Sequence, residues 1–251
     1  MDRSMTHFKH CSMTFVWLLI SCAAVLAQSM FSTNPFNNPM NNMLNTMISG
    51  KVNEEMLKQS VANQRSGGGS SSKPAPPLAR PQPGKSVAEI NRIVTFRPTP
   101  TPLKVHELAN TLGSTPEEKE QAAATFSNLL TYYAGEAKRL GMPNDFPLAL
   151  SLFLGVNSSI YHRTPPPDDA HILKLREIIA GAMVEDPHFA AVTDRSKQEL
   201  YEVMVIYTLF GQASYNEATK AGNQQLADGY RKFAGMNLQN FCKSSPDRLN
   251  F

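Results

Sequence analysis

Cysteine is scarce in this sequence, with three residues in 251. Cys11 and Cys22 lie within the first 27 residues, which leaves Cys242 alone in the rest of the chain. A single cysteine cannot form an internal disulfide or a paired-cysteine zinc site, so Cys242 could be a free thiol or an intermolecular bridge. Its neighbours Leu238 and Phe241 favour the role of a small core residue over that of a nucleophile.

Motifs that carry chemistry are also missing. The sequence has no glycine loop of the kind that binds phosphate, no His-Glu-x-x-His helix and no Gly-x-Ser-x-Gly turn. We therefore expect no catalytic residue, no metal and no cofactor.

Positive charge is limited and unevenly distributed. The formal net charge is +3; residues 28–102 carry eight Lys or Arg and three acids, whereas residues 103–251 carry fourteen and seventeen. A nucleic-acid-binding face needs clustered basic residues, and residues 103–251 show no such cluster. We expect no nucleic-acid partner.

The N-terminus has the pattern of a secretory signal peptide, residues 1–27. Arg3 and Lys9 precede an apolar run over residues 13–26, and cleavage after Ala27 would follow small residues. The alternative is a lipoprotein signal that would place a lipid anchor on Cys22. A third alternative, an uncleaved anchor helix, is less favoured still, because the apolar run is short for a bilayer. We therefore expect no transmembrane span in the mature chain. The pattern predicts an exported protein, periplasmic or secreted.

Residues 28–64 form an Asn- and Met-rich segment in which short helices are predicted near residues 40–48 and 52–64. The methionines could bind cuprous ion, but no Cys or His accompanies them, so we favour an adaptable apolar patch. Residues 65–102 are rich in Gly, Ser and Pro and predict a linker, flexible at 66–72 and stiffer at 74–83. Within this linker, residues 87–96 could form a strand or a short helix.

Residues 103–251 predict an all-α domain. Six helices follow from the periodicity, over residues 103–112, 116–140, 146–161, 169–184, 193 or 194 to 221, and 224–242. The helix at 116 has a capping box, with Thr115 at the N-cap and Glu118 three residues later. Asp145 and Asp168 are the predicted N-caps of the two following helices.

Residues 146–161, FPLALSLFLGVNSSIY, contain no charge and are apolar on nearly every side. A helix of this kind must be buried, and it is too short and too interrupted to be a convincing membrane span. We therefore predict a compact array of about six helices around this central helix, preceded by a largely disordered N-terminal segment.

Asn157 is the most informative polar residue of the central helix. A buried amide costs free energy unless it forms hydrogen bonds. One interpretation is that Asn157 ties the helix to a neighbouring loop. The other is that Asn157 and Tyr161 line a ligand-binding pocket, together with Tyr132 or Tyr133.

Two further sets of residues deserve a chemical interpretation. His162, Asp168, Asp169 and His171 flank three consecutive prolines and form the most metal-like cluster, although solvated side chains at a helix start are the favoured interpretation. The acids closest to apolar faces are Glu136, Glu177 and Glu202, which are the residues that a carboxylate-dependent cell-wall hydrolase would use.

The order of motifs over residues 97–251 resembles a family of exported bacterial proteins known only as a domain of unknown function. The motifs are RLGMPND at residues 139–145, an apolar helix with Asn157 and Tyr161, DPHF at 186–189 and PDRL at 246–249. The resemblance implies a bacterial, exported helical domain and implies no catalytic residue. We expect a non-enzymatic interaction or structural domain of the cell envelope, with an unknown protein or envelope component as its partner. A cell-wall-active hydrolase is the alternative.

Overall fold

The computed structural model describes residues 86–249, except for the side chain of Val87. Outside these residues lie the predicted signal peptide, the Asn- and Met-rich segment and the linker up to residue 85. The prediction of a largely disordered N-terminal segment also falls outside them. The described helices are α1 (Val87–Val94), α2 (Val105–Leu112), α3 (Pro116–Arg139), α4 (Phe146–His162), α5 (Asp169–Glu185), α6 (Pro187–Ala190), α7 (Asp194–Lys220) and α8 (Gln224–Cys242), followed by a 3₁₀ turn at Pro246–Arg248.

The all-α prediction is confirmed. Residues 86–249 contain no β-strand; a single antiparallel bridge joins Thr95 to Asp145. The six predicted helices form close to their predicted bounds, and two short helices, α1 and α6, are added to them. No helix within this range is both long enough and apolar enough to cross a membrane.

Helix α4 is the central helix that the sequence predicts. Its first turn is capped by Asp145, whose Oδ1 accepts a hydrogen bond from the Leu148 amide at 2.8 Å. Phe146, Leu150 and Phe153 are completely shielded from solvent. Helices α5, α7 and α8 pack around α4, which accounts for burial on nearly every side. An uncharged helix is the expected choice for this position, because each buried charge would require a partner.

Helix α3 shows how local signals set the ends of the outer helices. The Glu118 amide donates to Thr115 Oγ1 at 3.2 Å, and the Glu118 carboxylate accepts from the Thr115 amide at the same distance. This is the predicted capping box, which stabilises a helix start by satisfying amides that lack helical partners. At the other end, Gly141 follows the helix with a φ of 74°, a conformation that glycine adopts without steric cost.

The packed part of the chain begins upstream of residue 103, the predicted start of the helical domain. Residues 87–94 form a helix and not a strand, and Ile93, Val94 and Phe96 are buried. Residues 93–104, which we call the strap, comprise the last two residues of α1 and an irregular stretch that runs across α7 and leads into α2.

Three polar side chains of α7 hold the strap. Lys197 Nζ donates to the carbonyl of Ile93 at 2.7 Å, and Gln198 Oε1 accepts from the amide of Thr99 at 2.8 Å. Glu202 Oε2 accepts from the amides of residues 103 and 104 at 2.7 and 2.8 Å. The three α7 side chains are buried. They satisfy backbone groups that the irregular strap cannot pair with itself.

Candidate functional site

A cleft of about 330 Å³ opens where α4 ends and α5 begins. Gly155 and Ser159 of α4 form one wall. Thr164, Pro165 and Pro167 of the connecting loop form a second, and Asp168 and His171 at the start of α5 form the third. This volume lies at the lower end of the range for small-molecule sites. We treat this cleft as the candidate functional site.

The shape of the loop follows from how α4 ends. Arg163 takes a left-handed conformation with a φ of 59°, and the Thr164 amide donates to the Ser159 carbonyl at 3.0 Å. The Ser159 hydroxyl donates back to the Thr164 carbonyl at 2.7 Å. Three prolines follow, and they cannot continue a helix because they lack the amide hydrogen. The loop is therefore fixed at its first residues and stiff thereafter.

Helix α5 begins after Asp168, the predicted N-cap. Asp168 Oδ1 accepts a hydrogen bond from the His171 amide at 2.8 Å, which satisfies one of the unpaired amides of the first turn. Both residues are exposed, so the carboxylate and the imidazole at this wall are accessible from solvent.

Gly155 allows the loop to lie against α4. A Cβ atom built on this residue would stand 3.1 Å from Pro167 Cγ and 3.1 Å from Ile172 Cδ1. Contacts this short require the side chains of Pro167 and Ile172 to shift by a few tenths of an ångström, so a Cβ at this position would alter the lining of the cleft.

The charges around the cleft favour a cation. Asp168 lies in the wall, and the adjacent Asp169 side chain is 77% exposed. The two nearby arginines already have acidic partners. Arg163 pairs with Asp228 at 2.8 Å, and Arg139 pairs with Glu136 at 2.9 Å while its Nη2 stays 4.0 Å from Asp169. The two aspartates therefore leave an excess of negative charge at this edge.

Asn157 lies on α4 but its side chain is directed to α8. Its Nδ2 donates to the Phe153 carbonyl at 2.7 Å, and its Oδ1 accepts from Asn237 Nδ2 at 2.9 Å. Both asparagines are buried. The observed contact is between two helices, whereas the structural interpretation from the sequence named a neighbouring loop. The ligand-binding role of Asn157 stays a prediction.

Tyr161 holds the C-terminal tail, residues 245–249. Its hydroxyl donates to Asp247 Oδ1 at 2.8 Å, and this hydrogen bond, followed by partial burial, raises the pKa of Tyr161. Its ring lies directly on Gly235. The hydroxyl of Ser158 donates to the Leu249 carbonyl, which also lies 3.1 Å from a ring nitrogen of His162. The ligand-binding role of Tyr161 also stays a prediction.

The other tyrosines lie elsewhere. Tyr133 is buried between α3 and α7, with its ring edge-on to that of Tyr201 at a centroid distance of 5.6 Å. Tyr132 is 50% exposed on the outer side of α3. Neither lines the cleft.

The metal-like cluster is only partly brought together. Asp168 and His171 share the cleft wall, whereas His162 contacts the C-terminal tail. Within residues 86–249, no group of three or more His, Cys, Asp or Glu side chains is arranged to hold a metal ion.

The three acids of the hydrolase hypothesis are also dispersed. Glu202 accepts a hydrogen bond from the strap, Glu136 pairs with Arg139, and Glu177 is exposed on α5. Among the described residues that line the cleft, Asp168 supplies the one carboxylate.

The chain belongs to a family of unknown function (DUF6683), which it matches over residues 9–251. The sequence-based resemblance to a domain of unknown function is confirmed, and the match extends well upstream of residue 97, where we had placed its start. No curated protein and no solved structure matches the chain.

Proposed function

We propose that this family member is a non-enzymatic interaction domain of the bacterial cell envelope, and that it contacts its partner at the cleft between α4 and α5. The observation that carries the proposal is the contrast between the cleft and the core. Both polar atoms of the Asn157 side chain have internal hydrogen-bond partners, whereas Asp168 and His171 present accessible polar groups beside a stiff proline loop. Rigid concave surfaces of this kind lose little entropy when a partner binds.

Export supports the envelope as the place of action. The signal-peptide pattern of residues 1–27 sends the chain through the inner membrane, with Gln28 as the first residue after cleavage. Expression of the full-length chain in a bacterial host, followed by fractionation and mass determination, tests this part. A periplasmic or secreted product that begins at Gln28 supports it. A lipid-modified product that begins at Cys22 would replace it with the lipoprotein alternative, and an intact cytoplasmic product would contradict export.

A non-enzymatic role is favoured by the carboxylate arrangement. Glycosidic hydrolysis ordinarily requires two carboxylates about 5–9.5 Å apart on either side of the scissile bond. The cleft has Asp168, and the acids that we considered from the sequence lie away from it. A turbidity assay on purified peptidoglycan separates the two functions. Clearing by the intact protein, abolished in Asp168→Asn, would establish the hydrolase and refute our proposal.

Position-specific photo-crosslinking tests the cleft as the contact surface. A photoreactive amino acid replaces His171 in the full-length protein, and the matched control carries it at Glu120, an exposed residue near the start of α3. Glu120 lies about 28 Å along α3 from Arg139, the residue of α3 that approaches α5. We expect position 171 to give a discrete adduct with a second protein, seen as a mass above that of the monomer, and position 120 to give none. An adduct at position 171 that stays at the monomer mass is a crosslink within the chain and does not support a partner. Equal labelling at both positions would show that the cleft is not the contact surface.

A further inference from the structure

We propose that the cleft binds residues 73–85 of this same chain, the basic proline-rich segment that precedes α1. This segment, KPAPPLARPQPGK, contains Lys73, Arg80 and Lys85 and no acidic residue. The inference goes beyond the proposed function, because its occupant is part of the protein itself and it can hold whether or not an envelope partner exists. A partner that contacts the same cleft would have to displace this segment.

Charge is the first argument. The segment carries three positive charges. Asp168 lines the cleft, and the exposed Asp169 follows it at the start of α5, with its carboxylate 4.0 Å from Arg139 Nη2. Because the nearby Arg163 is paired with Asp228, it does not neutralise these two aspartates. The same complementarity holds for the whole chain, since residues 28–102 have a net charge of +5 (eight minus three) and residues 103–251 of −3 (fourteen minus seventeen).

Reach is the second argument. The described chain begins at Ser86, one residue before α1, and α1 packs against α5, the helix whose first turn forms a wall of the cleft. Thirteen extended residues span up to about 45 Å. Helix α5, with 17 residues, is about 25 Å long. Residues 73–85 are therefore long enough to reach the cleft from any position of α1 along α5.

Fit is the third argument. The segment contains two units in which a cation is followed by proline, Lys73-Pro74 and Arg80-Pro81. Pro165 and Pro167 offer pyrrolidine rings for apolar contact, and Asp168 beside them offers a carboxylate for the cation. A cleft of about 330 Å³ accommodates one such unit rather than the whole segment. Proline-rich chains lose little conformational entropy on binding because they are already restricted.

Carbodiimide crosslinking of the intact mature protein, residues 28–251, tests this inference. The reagent activates a carboxylate, and a lysine amine in contact with it then forms an amide. We expect peptides in which Lys73 or Lys85 is joined to Asp168 or Asp169, identified by mass spectrometry. The control variant Lys73→Arg/Lys85→Arg keeps the charges but has no amine at these positions, so it should lose these products.

Asp169→Asn serves as the folding-neutral variant, because Asp168 and not Asp169 caps α5. It should lower the crosslinking yield at Asp168 as well, since half of the local negative charge is removed. Raising the ionic strength from about 0.01 M to about 1 M shortens the Debye length from about 30 Å to about 3 Å and should reduce the yield several-fold.

Two results would overturn the inference. One is an even distribution of Lys73 and Lys85 products over exposed acids such as Glu117 and Glu120. The other is a crosslink that joins two copies, which is detected as mixed-isotope products when ¹⁵N-labelled and unlabelled protein are combined.

Discussion

Asn157 and Asn237 form a buried amide–amide hydrogen bond across the interface of α4 and α8. The Asn237 Nδ2 donates to Asn157 Oδ1 at 2.9 Å, and Asn157 in turn donates to the Phe153 carbonyl one turn earlier. The pair thus fixes the last helix on the central helix by a directional contact within an otherwise apolar interface.

Removing one partner of this pair should destabilise the protein. Asn157→Ala leaves the Asn237 amide buried without an acceptor, which costs about 1–3 kcal/mol of unfolding free energy. Denaturant unfolding monitored by circular dichroism measures the loss. The double variant Asn157→Ala/Asn237→Ala should lose less unfolding free energy than the two single variants lose together, because both single substitutions remove the same hydrogen bond. Strict additivity would show that the two amides do not stabilise each other.

Glu202 should be far more important than other glutamates of α7. Its carboxylate accepts hydrogen bonds from two strap amides and from Gln198 Nε2, all in a buried site. Glu202→Ala should lower the unfolding free energy by about 3 kcal/mol or more, since hydrogen bonds to charged groups contribute about 1.5–3 kcal/mol each. Glu199→Ala, which removes a surface ion pair with Arg195, should cost less than about 1 kcal/mol. Comparable losses in the two variants would refute the role assigned to Glu202.

Two glycines of α8 should respond to alanine in opposite directions. A Cβ on Gly235 would stand 2.7 Å from ring carbons of Tyr161. Gly235→Ala should therefore displace the ring and break the hydrogen bond from its hydroxyl to Asp247. We expect a loss of about 1–3 kcal/mol of unfolding free energy. Gly229 has open space around it, and Gly229→Ala should stabilise the helix by about 0.5–1 kcal/mol. Thermal unfolding of both variants compares them directly. Stabilisation by Gly235→Ala would show that the Tyr161 contact is not tight.

The thiol of Cys242 should be unreactive in the folded protein. Burial raises its pKa from 9.0 to about 12, and the thiolate is the reactive form. In a protein that starts at residue 28, where Cys242 is the one cysteine, reaction with a disulfide reagent at pH 8 should require unfolding. Rapid native labelling would contradict this burial.

The same raised pKa predicts a loss of stability in alkali. Above pH 9 the unfolded thiol ionises while the folded one stays protonated, so this contribution is complete below pH 9 and is lost as the pH rises towards about 12. Lys197 changes stability in the opposite direction, because burial lowers its pKa. Comparing Cys242→Ala with the parent protein isolates the thiol. The variant should show the weaker fall in unfolding free energy between pH 8 and pH 11, and identical slopes would contradict the prediction.

Local signals made much of the fold predictable. The capping box at Thr115, the N-caps Asp145 and Asp168, and the uncharged run of α4 each act within a few residues, so the sequence displays them directly. The proline turn also drew attention to Asp168 and His171, which now share the cleft.

Contacts between residues far apart in the chain were not predictable in the same way. Glu202 has the spacing of an amphipathic-edge acid, and only the folded chain brings it to residues 103 and 104. Asn237 gives no sequence signal as the partner of Asn157. In the sequence Gly155 only interrupts the apolar run of α4, whereas in the fold its lack of a side chain allows Pro167 to pack closely.

The strap has a practical consequence for anyone who shortens this protein. A version cut at residue 103 would keep every one of the long helices, yet Lys197 and Gln198 would lose the main-chain groups that they bind. The buried polar side chains of α7 that contact the strap would then be exposed to solvent. Trimming should therefore stop upstream of Ile93, even though the helical periodicity of the sequence starts later.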